Sequence, residues 1–266
     1  MPNASFAPTD LRWGYRRWWL ALLTTSALLF DFDLAGGSRL SQPDCWVAQT
    51  AREMLASGDW LVPHFAGEIR LQKTPGPYWL AAAIARLRGT DVDALCIRLP
   101  NAAAALMIVL TMTWWCRRNF GERPAIYAGF TTACSLFLLY WSHQGSSDLG
   151  VAALCTLAIA ALWEADRAER EREPGASNRK SEIGNRKSLW LLFYAACGLG
   201  MLYKGPLPVG VVGFPLIAYA LFWRRWRLPL QMRLPIGIPI FAALWLPWVI
   251  YIYLHLGTDA LYRWRA

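Results

Sequence analysis

Pro77-Tyr-Trp-Leu-Ala-Ala-Ala-Ile-Ala-Arg-Leu87 decides how this chain is laid out. The segment is apolar and helix-forming, yet eleven residues of α-helix reach only about 16 Å, roughly half the hydrocarbon thickness of a bilayer. Around it lie seven longer apolar runs: Trp18–Phe32, Ala102–Trp115, Ala125–Trp141, Leu149–Trp163, Leu189–Tyr203, Leu207–Trp223 and Ile236–Leu256. Several approach the roughly 20 residues that cross a membrane, and flanking Trp and Arg lengthen the shorter ones. If Pro77–Leu87 also crossed, every later loop would change sides. With a cytoplasmic N-terminus and this segment kept outside, most of the 27 lysines and arginines fall on the cytoplasmic side. Letting it cross reverses that bias, so it is expected to lie in the outer interface or to re-enter.

The expected fold is therefore all-α: a polytopic membrane protein of about seven transmembrane helices with a helical outer loop. Apolar residues make up 56% of the chain, and ten of its sixteen tryptophans stand at or near run ends, as an interfacial aromatic belt requires. Residues 1–17 read as a cytoplasmic N-terminus and 18–266 as one transmembrane module. Within it, 38–100 form the outer loop and 164–188 a charged cytoplasmic connector. That connector holds a near repeat, Ser177-Asn-Arg-Lys-Ser181 and Gly184-Asn-Arg-Lys-Ser188, and reads as disordered and functionally bland. The first run carries Asp31 and Asp33 at its end and no small-residue cleavage site, so it reads as a retained span in the inner membrane.

A net charge of +9 raises the question of nucleic acid. The arginines cluster between spans, however, and positive-inside bias accounts for them; no aromatic-basic binding module is visible. Six scattered cysteines show neither a disulfide framework nor metal-ligand spacing. Those in apolar runs read as small hydrophobes, while Cys45 and Cys96 fall in the outer compartment.

Between the first two runs lies a long polar stretch, from Pro43-Asp44 to Lys73-Thr-Pro-Gly-Pro-Tyr-Trp-Leu80. A mere connection needs no irregular sequence of that length, which points to chemistry at the membrane face. The preferred topology puts Asp44, Lys73, Asp148 and Lys204 on one side, at span ends or in loops. The flipped topology would part the first two from the last two.

Pro43-Asp44, Ala51-Arg-Glu-Met-Leu-Ala-Ser-Gly58-Asp59-Trp60-Leu61-Val-Pro63, Lys73-Thr-Pro75 with Tyr78-Trp79-Leu80, Arg98-Leu-Pro100, Asp148 at the head of a run and Lys204-Gly205-Pro206 follow in order. Together they resemble the C-type membrane glycosyltransferases, which include undecaprenyl-phosphate aminoarabinose transferases and bacterial relatives of protein O-mannosyltransferases. The resemblance covers roughly residues 16–223. It implies an enzyme that takes a sugar from a polyprenyl-phosphate donor and gives it, with inversion, to a lipid, protein or glycan acceptor at the outer, periplasmic face. There are departures. Cys45 stands where the family usually has an acid and Gln72 where it often has Glu, so no divalent metal is expected. Relatives are commonly about twice as long, which implies that the family's C-terminal part is absent.

Within that resemblance, Asp44 is either a helix N-cap or a general base that takes or orients the acceptor hydroxyl. Lys73 either holds the lipid phosphate and stabilises the leaving group or snorkels to headgroups. Asp148 caps its helix or faces positive charge developing on the sugar ring. Lys204 interrupts two apolar runs, where an unpaired ammonium is costly; Asp44, Asp148 or a lipid phosphate would offset it. Arg52 is a weaker phosphate ligand. The competing classes are a transporter, a lipid-carrier-binding protein and an inactive copy of the transferase. Carboxylates at span ends, with no inverted repeat, favour the enzyme.

Overall fold

The computed structural model describes residues 8–36, 40–170, 186–226 and 228–257. Helix α1 (Pro8–Asp31) is followed by α2 (Gln42–Ser57). A two-stranded antiparallel hairpin, β1 (His64–Phe65) and β2 (Glu68–Ile69), joins α2 to α3 (Gly76–Arg88). The bundle continues with α4 (Ala94–Phe120), α5 (Glu122–Ala133), α6 (Leu136–Ser142) and α7 (Ser147–Arg170). It ends with α8 (Arg186–Lys204), α9 (Leu207–Phe222), the short α10 (Leu228–Gln231) and α11 (Leu234–Leu256).

All seven apolar runs are helical. By length and composition α4, α7 and α11 each suffice to cross a membrane, and the α5–α6 pair, bent by 54°, makes a fourth only if it is one broken span and not a re-entrant loop. Apolar side chains on α9 and α11, among them Phe214, Ile217, Ile250 and Leu254, face outward, as a lipid solvent permits. At 13 residues, α3 is about 20 Å long at 1.5 Å per residue.

The polar stretch, expected to be a helical loop, is a folded unit. Val47, Ala51 and Met54 of α2 pack against Tyr78, Ala81, Ala82 and Ala85 of α3, with Val92 and Ile97 closing the same core. Three alanines on one face of α3 let the two helices approach closely, and Gly58 in the left-handed region (φ 75°) ends α2. The hairpin is tied to α2 by Glu53, whose carboxylate accepts the Ala66 and Gly67 N–H groups at 2.7 and 3.2 Å. It is tied to α11 by the Trp248 indole, which donates to the Leu61 carbonyl at 2.8 Å.

The charged connector begins later than the sequence suggests, because α7 stays helical to Arg170. Glu164 and Asp166 are buried and ion-paired, not solvated. Glu164 accepts from Arg118 at 2.8 Å and Asn119 at 2.7 Å. Asp166 accepts from Tyr219 at 2.6 Å and Arg225 at 2.8 Å. These contacts bolt α7 to the ends of α4 and α9. Composition marked this stretch as charged but could not show that two of its acids meet guanidiniums across the bundle. The first copy of the near repeat lies outside the described residues, and the Arg-Lys-Ser of the second opens α8.

Candidate active site

At the opposite end of the bundle, the N-termini of α2, α3 and α7, the first turns of α4 and the C-terminus of α8 come together. Three glycines allow it. A Cβ on Gly145 would fall 2.2 Å from Ile97 Cγ2 and 2.9 Å from Asp44 Oδ1. One on Gly150 would fall 2.1 Å from the Tyr203 ring, and one on Gly76 would fall 2.7 Å from the Leu202 carbonyl oxygen. Gly76 and Gly150 thus seat α3 and α7 on the last turn of α8, beside Lys204.

Asp44 lies in the first turn of α2 but is not its N-cap. Ser41 caps the helix: its hydroxyl accepts the Asp44 N–H at 3.4 Å, while the Asp44 carboxylate accepts the Ser41 N–H at 3.1 Å. The same carboxylate accepts the Gly145 N–H at 2.5 Å and pairs with Arg98 at 3.2 Å. Both side chains are buried, Asp44 at 0% and Arg98 at 2% exposure. The Asn101 amide donates to the carbonyls of Gln144 and Ser146, which fixes the loop that delivers Gly145. Asp44 therefore ties α2, α4 and the entry to α7 together from a position shut off from solvent.

Asp148 and Lys204 form an ion pair, with 40% and 32% of their side chains exposed. Of the three partners the sequence offered Lys204, the fold supplies Asp148. The Ser146 hydroxyl donates to the Asp148 carboxylate at 2.7 Å and accepts its N–H at 3.0 Å, so Ser146 is the residue that caps the start of α7.

Lys73 sits three residues before Gly76, with its ammonium 5.8 Å from the centre of the Trp46 ring. It lies close enough to Lys204 for the two cations to repel. Desolvation, and then the charge of Arg70, pull the Lys73 pKa below the usual lysine value. Arg70 was not singled out by the sequence. Its guanidinium stands 4.6 Å from the Trp46 ring centre and 5.3 Å from that of Phe65. Its one sequence signal is a second cation three residues before Lys73.

The fold thus gathers Asp148, Lys204 and Lys73, sets Asp44 behind them through Gly145, and adds Arg70. Arg52 is not brought to them. It sits two turns further along α2, pairs with Asp91 at 3.6 Å and donates to the Val92 carbonyl at 2.6 Å. Among the described residues no three His, Cys, Asp or Glu side chains gather where they could share a metal ion.

Directly beside this cluster, α3, α4, α7 and α8 line an open cavity of about 370 Å³. Its lining is almost wholly apolar and includes Trp79, Ala104, Met107, Leu154, Leu202 and Tyr203. Gly76 and Gly150 also border it, so the cavity reaches the two glycines that seat the charged residues. An amphiphile with an anionic head and a hydrocarbon tail fits this pairing of cations with an apolar slot.

Long apolar helices around such a site define an integral membrane protein of the all-α class. Residues 47–257 match the dolichyl-phosphate-mannose-protein mannosyltransferase family, and the chain belongs to that family. Among curated proteins it is 28% identical over 239 residues to the undecaprenyl phosphate-alpha-4-amino-4-deoxy-L-arabinose arabinosyl transferase of Edwardsiella ictaluri, covering 89% of this chain and 40% of that protein. A Sodalis glossinidius transferase of the same description is 29% identical over 239 residues, covering 87% and 39%. The crystal structure of ArnT from Cupriavidus metallidurans bound to undecaprenyl phosphate superposes with a TM-score of 0.78 at 22% identity, covering 90% of this chain and 42% of that one. Its apo form gives 0.79 at 21% identity. The all-α expectation and the family resemblance both hold. The chain spans about two fifths of the length of these curated relatives.

Proposed function

We propose that this chain carries the donor site of a membrane glycosyltransferase. The enzyme would move a sugar from a polyprenyl-phosphate carrier to a lipid, protein or glycan acceptor at the outer face of the inner membrane. The observation that carries this reading is the grouping of Lys73, Lys204 and Asp148 next to Gly76, Gly150 and Tyr203, which line an apolar cavity, at the end of the bundle away from the Arg118 and Arg225 bolts. Seven spans with a cytoplasmic N-terminus would place that end of the bundle in the periplasm and the arginine-rich end in the cytoplasm.

In this reading the acceptor oxygen attacks the anomeric carbon as the bond from that carbon to the phosphate oxygen breaks. The electron pair leaves with the lipid phosphate, where Lys73 and Lys204 neutralise it. Asp148, partly open to solvent, faces the positive charge spread over the ring. Asp44 takes the acceptor proton or orients its hydroxyl, which requires the Gly145 loop to give way. The sugar donor is the substrate, and no cofactor enters the scheme.

The test is transfer of a radiolabelled sugar from its polyprenyl-phosphate carrier in proteoliposomes. Lys73→Gln and Lys204→Gln should each lower turnover on the order of a hundredfold, in line with loss of one leaving-group stabiliser. Wild-type turnover in both variants would end the proposal. A pH series tests Lys73 further. Its proton is lost as pH rises through a value below the usual lysine range, so lipid-phosphate binding should weaken there. Lys73→Arg, charged throughout, should keep binding to higher pH.

One observation favours a second reading, a carrier-lipid-binding protein without catalysis: Asp44 is fully buried with both carboxylate oxygens engaged. Tight binding of polyprenyl phosphate with no sugar release in the same proteoliposomes would select it.

A further inference from the structure

Elsewhere in the bundle, buried or half-buried guanidiniums meet carboxylates: Arg98 meets Asp44, Arg118 meets Glu164 and Arg225 meets Asp166. Arg70 and Lys73 break that pattern. Neither has an acidic partner among the described residues, although they flank the same Trp46 ring. The Arg70 Nε is buried with no hydrogen-bond acceptor, and so are the hydroxyls of Thr74 and Tyr78. Tyr78 is 1% exposed, and its hydroxyl lies beside the Arg70 guanidinium without meeting hydrogen-bond geometry. Burying donors with nothing to receive them costs roughly 1–3 kcal/mol each. The aromatic faces of Trp46 and Phe65 attract the guanidinium but accept no in-line hydrogen bond from Nε. Two cations over one indole without acidic partners, with buried, unused hydroxyls on Thr74 next to Lys73 and on Tyr78 beside Arg70, describe a site whose missing component is an anion.

The charge it wants follows from the residues. Arg70, Lys73 and Lys204 stand against the single carboxylate of Asp148, which leaves two positive charges. A sugar phosphodiester donor carries one negative charge. The phosphate monoester that leaves carries up to two near neutral pH, since its second proton is lost at about pH 6.

We propose that Arg70 is a third phosphate ligand, backed by the Tyr78 hydroxyl. In this proposal the cluster is matched to a phosphate monoester dianion, the leaving group, in preference to the phosphodiester donor. The inference rests on the donor-site reading above and deepens it. As the anomeric C–O bond breaks and its electron pair passes to the phosphate oxygen, the added negative charge meets the surplus positive charge. The site thus gains interaction energy in the transition state that it lacks in the ground state.

The experiment measures binding of undecaprenyl monophosphate and of its methyl phosphodiester to the full chain in detergent micelles at pH 8. The wild type should prefer the monophosphate. Arg70→Gln should weaken monophosphate binding by about tenfold or more, weaken the diester far less, and so erase the preference. Arg70→Lys should restore part of it, and Tyr78→Phe should lower it more modestly. An Arg70→Gln protein with the wild-type preference would overturn the inference. So would equal losses for both lipids, or a loss that Arg70→Lys does not mend, because a purely structural Arg70 predicts those results. If Lys73→Gln and Lys204→Gln abolish binding while Arg70→Gln does not, only this inference falls. If none of the three alters binding, the donor-site reading falls with it.

Discussion

Replacing Asp44 by asparagine is expected to cost about 3–5 kcal/mol of stability and most of any transferase activity, two losses that can be separated. The stability loss follows from burial. Asp44 and Arg98 are both shut off from water, and the neutral amide would leave a buried guanidinium without its carboxylate. Asparagine keeps an oxygen for the Gly145 N–H, so the loss should come mainly from charge and not from a collapsed loop. The double variant Asp44→Asn/Arg98→Gln removes both charges and should recover much of the thermal midpoint. If Asp44 serves only to hold α2, α4 and the α7 entry together, activity should return with stability. If it also handles the acceptor proton, the double variant should be stable and still at least about a hundredfold slow. Full activity in the single variant would remove Asp44 from the mechanism.

The second large effect is expected at Gly76. Valine there would set a Cβ 2.7 Å from the Leu202 carbonyl oxygen, against a backbone atom that cannot turn aside. Helix α3 would have to back away from the last turn of α8, carrying the Lys73 segment away from Lys204. Its added methyls would also enter the apolar cavity that Gly76 borders. Misplacing a binding group by about 1 Å can cost on the order of a hundredfold in rate, and a loss of that size is expected in the proteoliposome assay. Overpacking alone should lower stability by roughly 1–3 kcal/mol. Gly58→Ala is the matched control. It strains a left-handed helix cap, but its Cβ meets nothing within 4 Å and it should leave turnover nearly intact. Normal turnover in Gly76→Val would show that the close approach of α3 and α8 does not position the donor site.

Both predictions turn on contacts that no local pattern announces. The amphipathic face of α2 was legible, because Val47, Ala51, Met54 and Leu55 recur at helical spacing before a terminating glycine. The hairpin between it and α3 was not, since two-residue strands leave no alternating run to read. At Asp44 the sequence offered a cap or a base, and the fold gives the cap to Ser41. Ser41 and Asp44 stand three positions apart, less than one helical turn, and only the backbone geometry distinguishes them. Arg70 was overlooked for a similar reason: in a chain with 27 basic residues, one more arginine near a lysine carries no signal until its neighbours lack acids. Glu164 and Asp166 erred the other way, because charges that look solvated in sequence are buried when each finds a guanidinium across the bundle.

Hydropathy is a sum over neighbours in the chain, so the all-α membrane character, the helical runs and the short length of Pro77–Leu87 could be read directly from residue order. The ordered motifs likewise sufficed to point to the family. Which cation meets which anion is a property of space: Asp44 and Arg98 are 54 positions apart, and Asp148 and Lys204 lie on different helices. Only the packing of α3 and α7 onto α8, through glycines that spare no room for a side chain, decided that those charges share one end of the bundle beside an apolar cavity.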